Sequence, residues 1–156
     1  MKVVLIVIDK VSSEAIISLI KNYENRLKNY CSFELNTIIV PKNVRNKSID
    51  EQKREEGKLI QSHLKETDFV VLLDENGKEL SSIEFSKYLE TISFSNKRIV
   101  FVIGGPYGFS DEIKKQYPNH LSLSKMTFSH EMVRVIFMEQ LYRSFTILKG
   151  QKYHHS

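Results

Sequence analysis

The chain has 156 residues, a length that suits one domain around one core. Apolar residues make up 41% and charged residues 27%, an ordinary balance for a soluble protein, and the longest apolar runs, residues 3–8 and 99–103, are too short to cross a bilayer. The lone Cys31 excludes an internal disulfide and a thiolate metal site and favours a reducing, cytoplasmic setting; the start reads as a strand rather than a signal peptide. The net charge of +4 is unevenly spread. Residues 1–96 carry 14 basic and 15 acidic side chains and residues 97–156 carry 9 and 4, a local excess that suits a polyanion such as RNA as readily as a plain solvated surface.

In chain order, residues 3–8 form a continuous β-branched run, the pattern of a strand buried on both faces. Ser12 or Ser13 can cap a helix whose face is Ile16, Ile20, Tyr23, Leu27 and Tyr30. Residues 33–40 give a second strand that stops at Pro41, and residues 42–47 a polar, basic loop. The capping pattern from Ser48 to Glu51 opens a charged helix reaching about Leu64, apolar only at Leu59, Ile60 and Leu64, so its first turns are expected in solvent. A third strand covers residues 69–73 and ends at Asp74, with Asn76-Gly77 as a turn. A second capping box, Ser81 to Glu84, starts a helix that buries Phe85, Tyr88, Leu89 and Ile92. Residues 99–103 are strand four, a short helix starts at Ser110, residues 121–123 are strand five, and the last helix runs from about His130 to Leu148 with Gly150 as its stop. Five β-α repeats predict a single-domain α/β fold, a mainly parallel sheet with helices on both faces and its ligand at the carboxyl ends of the strands.

The loops narrow the chemistry. A dinucleotide fold carries its glycine fingerprint after the first strand. Here that loop, residues 8–13, has no glycine, and the glycines follow strand four as Gly104-Gly105-Pro106-Tyr107-Gly108. Such a loop lets backbone approach a ligand, although it is also an ordinary tight turn. One strand later, Ser122, Ser124 and Thr127 surround Lys125 and Met126, a loop that offers backbone groups to a purine while Leu123, Met126 and Phe128 supply apolar walls. With Leu73 at the end of strand three, these make a three-sided adenosine pocket. Core packing is the competing role for Met126 and Phe128.

At these residues the chain resembles the SPOUT-class methyltransferases, and within them the bacterial ribosomal RNA large-subunit methyltransferase H family. The likeness spans essentially the whole chain and rests on residues 101–105, residues 123–128, His130 with Arg134, Leu141-Tyr142-Arg143 and Tyr153-His154. It implies a C-terminal deep trefoil knot over about residues 70–150. It also implies S-adenosylmethionine (SAM) held by Leu73, Gly104, Leu123, Ser124, Lys125, Met126, Thr127 and Phe128, and a homodimer with a composite active site. The implied reaction is methylation of N3 of a pseudouridine in 23S rRNA on the assembled ribosome, with no metal and no membrane. Two departures from the family pattern stand out: Ser129 replaces a usual proline, and His155-Ser156 replace a basic residue after Tyr153-His154.

SAM supplies the electrophile, so the protein must align N3 with the methyl and help it lose a proton. The resemblance points to Tyr153 and His154 as catalytic, Tyr153 stacking on or hydrogen bonding to the base and His154 assisting proton removal. His130 at a helix start reads as a neutral structural group. Arg134 either orients the cofactor loop, contacts RNA or forms an interface salt bridge; Arg143 contacts RNA phosphate or the partner subunit. The wide apolar face from Met132 to Phe145 is expected to bury a partner helix. The rival readings are a nicotinamide enzyme, disfavoured by the glycine-free first loop, and a non-catalytic ribosome-binding knot protein.

Overall fold

A computed structural model of the chain describes residues 1–155. Five strands, β1 (Lys2–Ile8), β2 (Ser32–Ile38), β3 (Phe69–Glu79), β4 (Arg98–Ile103) and β5 (His120–Ser122), form one sheet in the order β2-β1-β4-β3-β5. Every neighbouring pair is parallel. The central strands β1 and β4 alternate perfectly between two cores. Val3, Leu5, Val7, Ile99, Phe101 and Ile103 face one side, and Val4, Ile6, Ile8, Val100 and Val102 the other. A parallel sheet requires both faces to be covered, which is why these strands read as unbroken apolar runs.

Six helices supply the cover: α1 (Glu14–Leu27), α2 (Lys42–Arg45), α3 (Ile49–Ser62), α4 (Ser82–Ser95), α5 (Asp111–Gln116) and α6 (Met132–Leu148). Leu27, Phe85, Leu89, Phe137, Leu141 and Phe145 put α1, α4 and α6 on the first face; Val44, Ile60 and Ile113 put α2, α3 and α5 on the second. Serines start the helices. Ser13, Ser48 and Ser110 accept the N–H three residues on, and Ser81 with Glu84 closes a full capping box. No helix among the described residues is long and apolar enough to cross a membrane.

Four expectations change. Residues 42–45 are a helical turn, not a loop, because Val44 is buried beneath them and Arg45 finds two carboxylates. The charged helix α3 does not hold its first turns in solvent, since Gln52 and Glu56 are buried there. Asn76-Gly77 is not a reversal: β3 bulges between Leu73 and Lys78 and then pairs with β5 again. The last helix starts at Met132, and its buried side includes Arg134, Val135 and Met138 beside the expected Phe137, Leu141 and Phe145. Gly150 does end it, at φ +67°, with Gly150 N–H on Ile147 O at 3.0 Å and Gln151 N–H on Thr146 O at 2.9 Å, the double bond of a Schellman stop.

Candidate active site

The carboxyl ends of β3, β4 and β5 lie side by side, so their following loops converge. They enclose a cavity of about 390 Å³ lined by Leu73, Asp74 and Glu75 at the bulge of β3, by Ile103 at the end of β4 and residues 104–106 with Gly108 and Phe109 after it, and by Leu123, Ser124, Met126, Thr127 and Phe128 after β5. His130 and Val133 close it from the approach to α6. That volume falls in the range of small-molecule and cofactor sites.

Each wall has a local cause. The glycine loop is a turn as well as a wall: Gly108 N–H reaches Gly105 O at 3.1 Å, and Gly108 has φ +78°, a conformation glycine adopts without cost. Gly104 packs its bare Cα on the Phe109 ring, where a Cβ would lie 3.1 Å from the nearest ring carbon. After β5, Ser122 Oγ donates to Ser124 O at 3.0 Å and Ser124 Oγ accepts Met126 N–H at 2.9 Å, so serine side chains hold the loop in shape. Thr127 Oγ1 donates to Glu75 Oε2 at 3.2 Å, joining the β5 loop to the β3 loop. Ser129 Oγ accepts Met132 N–H at 3.2 Å, so serine in place of proline still leads the chain into α6.

The expected pocket residues therefore assemble, with one exception. Lys125 is absent from the lining; its side chain is 87% exposed and its ammonium lies 3.9 Å from Glu79. Met126 lines the mouth and is 76% exposed, which excludes core packing for it. Arg134 lies beneath the site and is only 2% exposed, so of its expected roles the structure favours support. Its guanidinium donates to His130 O at 2.9 Å and Ile8 O at 2.6 Å, tying the turn before α6 to the end of β1. Burial lowers its pKa, with no carboxylate in direct contact to offset this.

Sequence reasoning missed what fills the β1 loop. Asp9 sits at φ +66° and pairs with Arg45, which also meets Glu56 Oε2 at 2.5 Å. On the other side of that loop, Glu131 Oε1 accepts Ser12 N–H at 2.6 Å and Ser13 N–H at 3.2 Å. These bonds hold Glu131 below the usual carboxylate range. The loop that carries a glycine fingerprint in a dinucleotide fold is here a polar junction between α2, α3 and α6. Only the excess of short polar residues at 9–13 hinted at it.

Tyr153 and His154 are brought together, but not at the pocket. The Schellman stop turns the chain back along α6. Tyr153 then packs edge-on against Tyr142 at 4.8 Å between centroids, lies under the Arg143 guanidinium at 4.8 Å, and donates its hydroxyl to Glu139 Oε1 at 3.1 Å. Arg143 bonds the same carboxylate and approaches His154 Nδ1 at 3.2 Å. A guanidinium only donates, so in this contact Nδ1 is the acceptor. Burial and the neighbouring Tyr23 and Glu139 push the Tyr153 phenol far above its ordinary pKa, so it remains a proton donor at neutral pH. Val133 at the pocket is six helix residues, about 9 Å, from Glu139, which holds the Tyr153 hydroxyl, and ten residues, about 15 Å, from Arg143, which meets His154. Reacting atoms must come within about 3–3.5 Å. Pocket and tail of one protomer therefore do not meet in this arrangement.

Comparison with known proteins gives a consistent set of relatives. The family described as "Predicted SPOUT methyltransferase" matches residues 1–154. The chain is 51% identical over 156 residues to the ribosomal RNA large subunit methyltransferase H of Christiangramia forsetii, covering 99% of both chains. It is also 51% identical to the protein of that name from Parabacteroides distasonis and 46% identical to that from Bacteroides thetaiotaomicron, again over 99% of each chain.

Proposed function

The chain belongs to the SPOUT methyltransferase family, and from that premise we propose that it transfers a methyl group from SAM to N3 of a pseudouridine in large-subunit 23S rRNA, on assembled ribosomes in the cytoplasm. The observation that carries the reading is the three-walled cavity on β3, β4 and β5, assembled from Leu73, Gly104, Leu123, Ser124, Met126, Thr127 and Phe128. Its residues fit SAM. Backbone from the glycine and serine loops can hydrogen-bond a purine, while Leu73, Leu123, Met126 and Phe128 give it apolar walls. Glu75, at the cavity edge, suits a ligand carrying positive charge. When bound, SAM supplies an electrophilic methyl on sulfonium.

The protein's own residues perform the remaining steps. Residues 104–108 and 123–128 fix the cofactor, and Phe109 fills the space beneath Gly104. Because the tail meets α6 about 9–15 Å along the helix from its own pocket, the active site is composite: the pocket of one protomer works with Tyr153 and His154 of a second copy in a homodimer. Tyr153, a phenol pinned by Glu139, positions the base by stacking or a hydrogen bond. His154, its Nδ1 engaged by Arg143, aids removal of the N3 proton once that contact opens. Arg143 is the cation placed to meet RNA phosphate when it does. The knotted segment is assigned to about residues 70–150 of a single domain. The support for the knot is membership of the SPOUT methyltransferase family.

Incubation of the protein with labelled SAM and ribosomes lacking the modification, followed by mass mapping, tests this reading. Methyl on N3 of one large-subunit pseudouridine is expected; no incorporation into intact ribosomes would reject it. Uptake by RNA without turnover would instead favour a non-catalytic ribosome-binding protein.

A further inference from the structure

We infer that Glu56 is the positioning residue of the glycine loop, holding residues 104–108 at the height the cofactor requires. This rests on the reading of the cavity as the SAM site. Glu56 is 3% exposed on the sheet-facing side of α3, where a carboxylate is costly unless paired and hydrogen-bonded. Its partner is Arg45, at 2.5 Å, and Arg45 is itself fixed by Asp9 and by Gln52, whose amide returns hydrogen bonds to Arg45 O at 3.3 Å and Lys47 O at 2.9 Å. With its charge anchored on that side, the carboxylate is pressed against the cofactor loop on the other. The Gly105 backbone lies directly against it. The contact is so close that a Cβ at position 105 would lie 2.7 Å from Glu56 Cδ and overlap both oxygens. Gly105 is thus glycine because a carboxylate occupies the space of its side chain. Gly105 is also a wall of the cavity, one residue from Gly104 and accepting the Gly108 N–H through its carbonyl. Asp9, Arg45 and Glu56 form a strut from the end of β1, through α2 and α3, to the wall after β4. No other charged side chain is bonded to that wall among the described contacts.

Hydrogen exchange and calorimetry on the full-length protein separate this role from a merely structural one. In Glu56→Ala, exchange at the amides of residues 104–109 should rise in the cofactor-free protein while α6 and the tail keep their protection. SAM should bind about tenfold more weakly, because a wall displaced by even about 1 Å no longer meets the cofactor in register. KM for SAM should rise with kcat at saturating SAM retained, and the isosteric Glu56→Gln, which fills the same space against Gly105, should recover part of the affinity. If Glu56→Ala fails to fold, Glu56→Gln and the reciprocal Gly105→Ala carry the test. Gly105→Ala should weaken SAM binding by collision with the carboxylate, and Glu56→Gly in the same chain should restore part of it. A folded Glu56 variant with unchanged loop exchange and unchanged SAM affinity, or Gly105 and Glu56 effects that simply add, would overturn the inference. Failure of the wild-type protein to bind SAM would overturn the proposed function instead; the exchange measurement, made without cofactor, would still decide the role of Glu56.

Discussion

Gly77 shows how little room is left where the β3 bulge passes over β5. A methyl group there would lie 2.7 Å from backbone atoms of His120 and Leu121, and backbone cannot swing away as a side chain can. Gly77→Ala should therefore cost about 1–3 kcal/mol, the usual penalty of overpacking, measured by urea unfolding; a variant as stable as wild type would mean the crossing is looser than described. Glu56 carries the clearest pH signature. Burial outweighs its pairing with Arg45 and raises its pKa. The folded chain therefore keeps this proton above the pH at which the unfolded chain releases it. The contribution to stability is full below the ordinary carboxylate pKa and is lost as pH rises through the folded value. As pH rises above the ordinary carboxylate pKa of about 4, Glu56→Gln should lose less stability than wild type; parallel stability curves would refute that. Burial also pushes the Cys31 thiol up to about 11, so it should react slowly with alkylating agents at neutral pH in the folded state.

Among the elements, α6 connects the most parts of the account. Its first turn closes the cavity through Val133, its buried Arg134 bonds the end of β1, and its second half holds the tail through Glu139 and Arg143. Arg134→Met removes two hydrogen bonds and leaves Ile8 O and His130 O short of a donor, at an expected cost of about 2–3 kcal/mol in urea unfolding. Glu139→Ala should free the tail: exchange at residues 151–154 rises and methyl transfer falls, while SAM affinity is unchanged, because the cavity does not involve Glu139. An equal loss of SAM affinity would mean tail and cavity communicate within one protomer. The sequence made much of this element legible. Apolar spacing located the helix, Gly150 its stop, and the glycine and serine loops the cavity walls. What escaped it has a physical reason. Glu56 and Arg45 lie in charged stretches that look solvated by default, and their partners Gly105 and Asp9 are 49 and 36 residues away in the chain. Pairing over such distances leaves no periodic trace. Arg134 was likewise visible as a residue but not as a buried one, since its ligands are carbonyl groups that any sequence supplies.

At the scale of the whole molecule, the main tension is that the cavity and Tyr153-His154 lie at different places on one chain. The sheet puts the cofactor walls at the carboxyl ends of β3, β4 and β5, and the Schellman stop sends the tail back along α6 instead. A second copy of the chain resolves it, as the proposed homodimer does. Apolar surface supports that assembly: Ile17 and Leu19 on α1 and Met132 on α6 are each at least 40% exposed. No periodicity in one chain can reveal a site shared by two, and no local pattern reveals a knot, so both entered through family likeness. Mixed dimers offer the most direct measurement. One protomer would carry Gly104→Val, which fills the cavity wall, and the other Tyr153→Ala with His154→Ala, which removes the tail groups; each alone should fail to label unmodified ribosomes from SAM, with SAM binding lost in the first and intact in the second. Unfolded and refolded together, the two should recover labelling, because the mixed dimer contains one sound cavity facing one sound tail. A mixture that exchanges subunits yet stays as inactive as its parents would contradict the composite site.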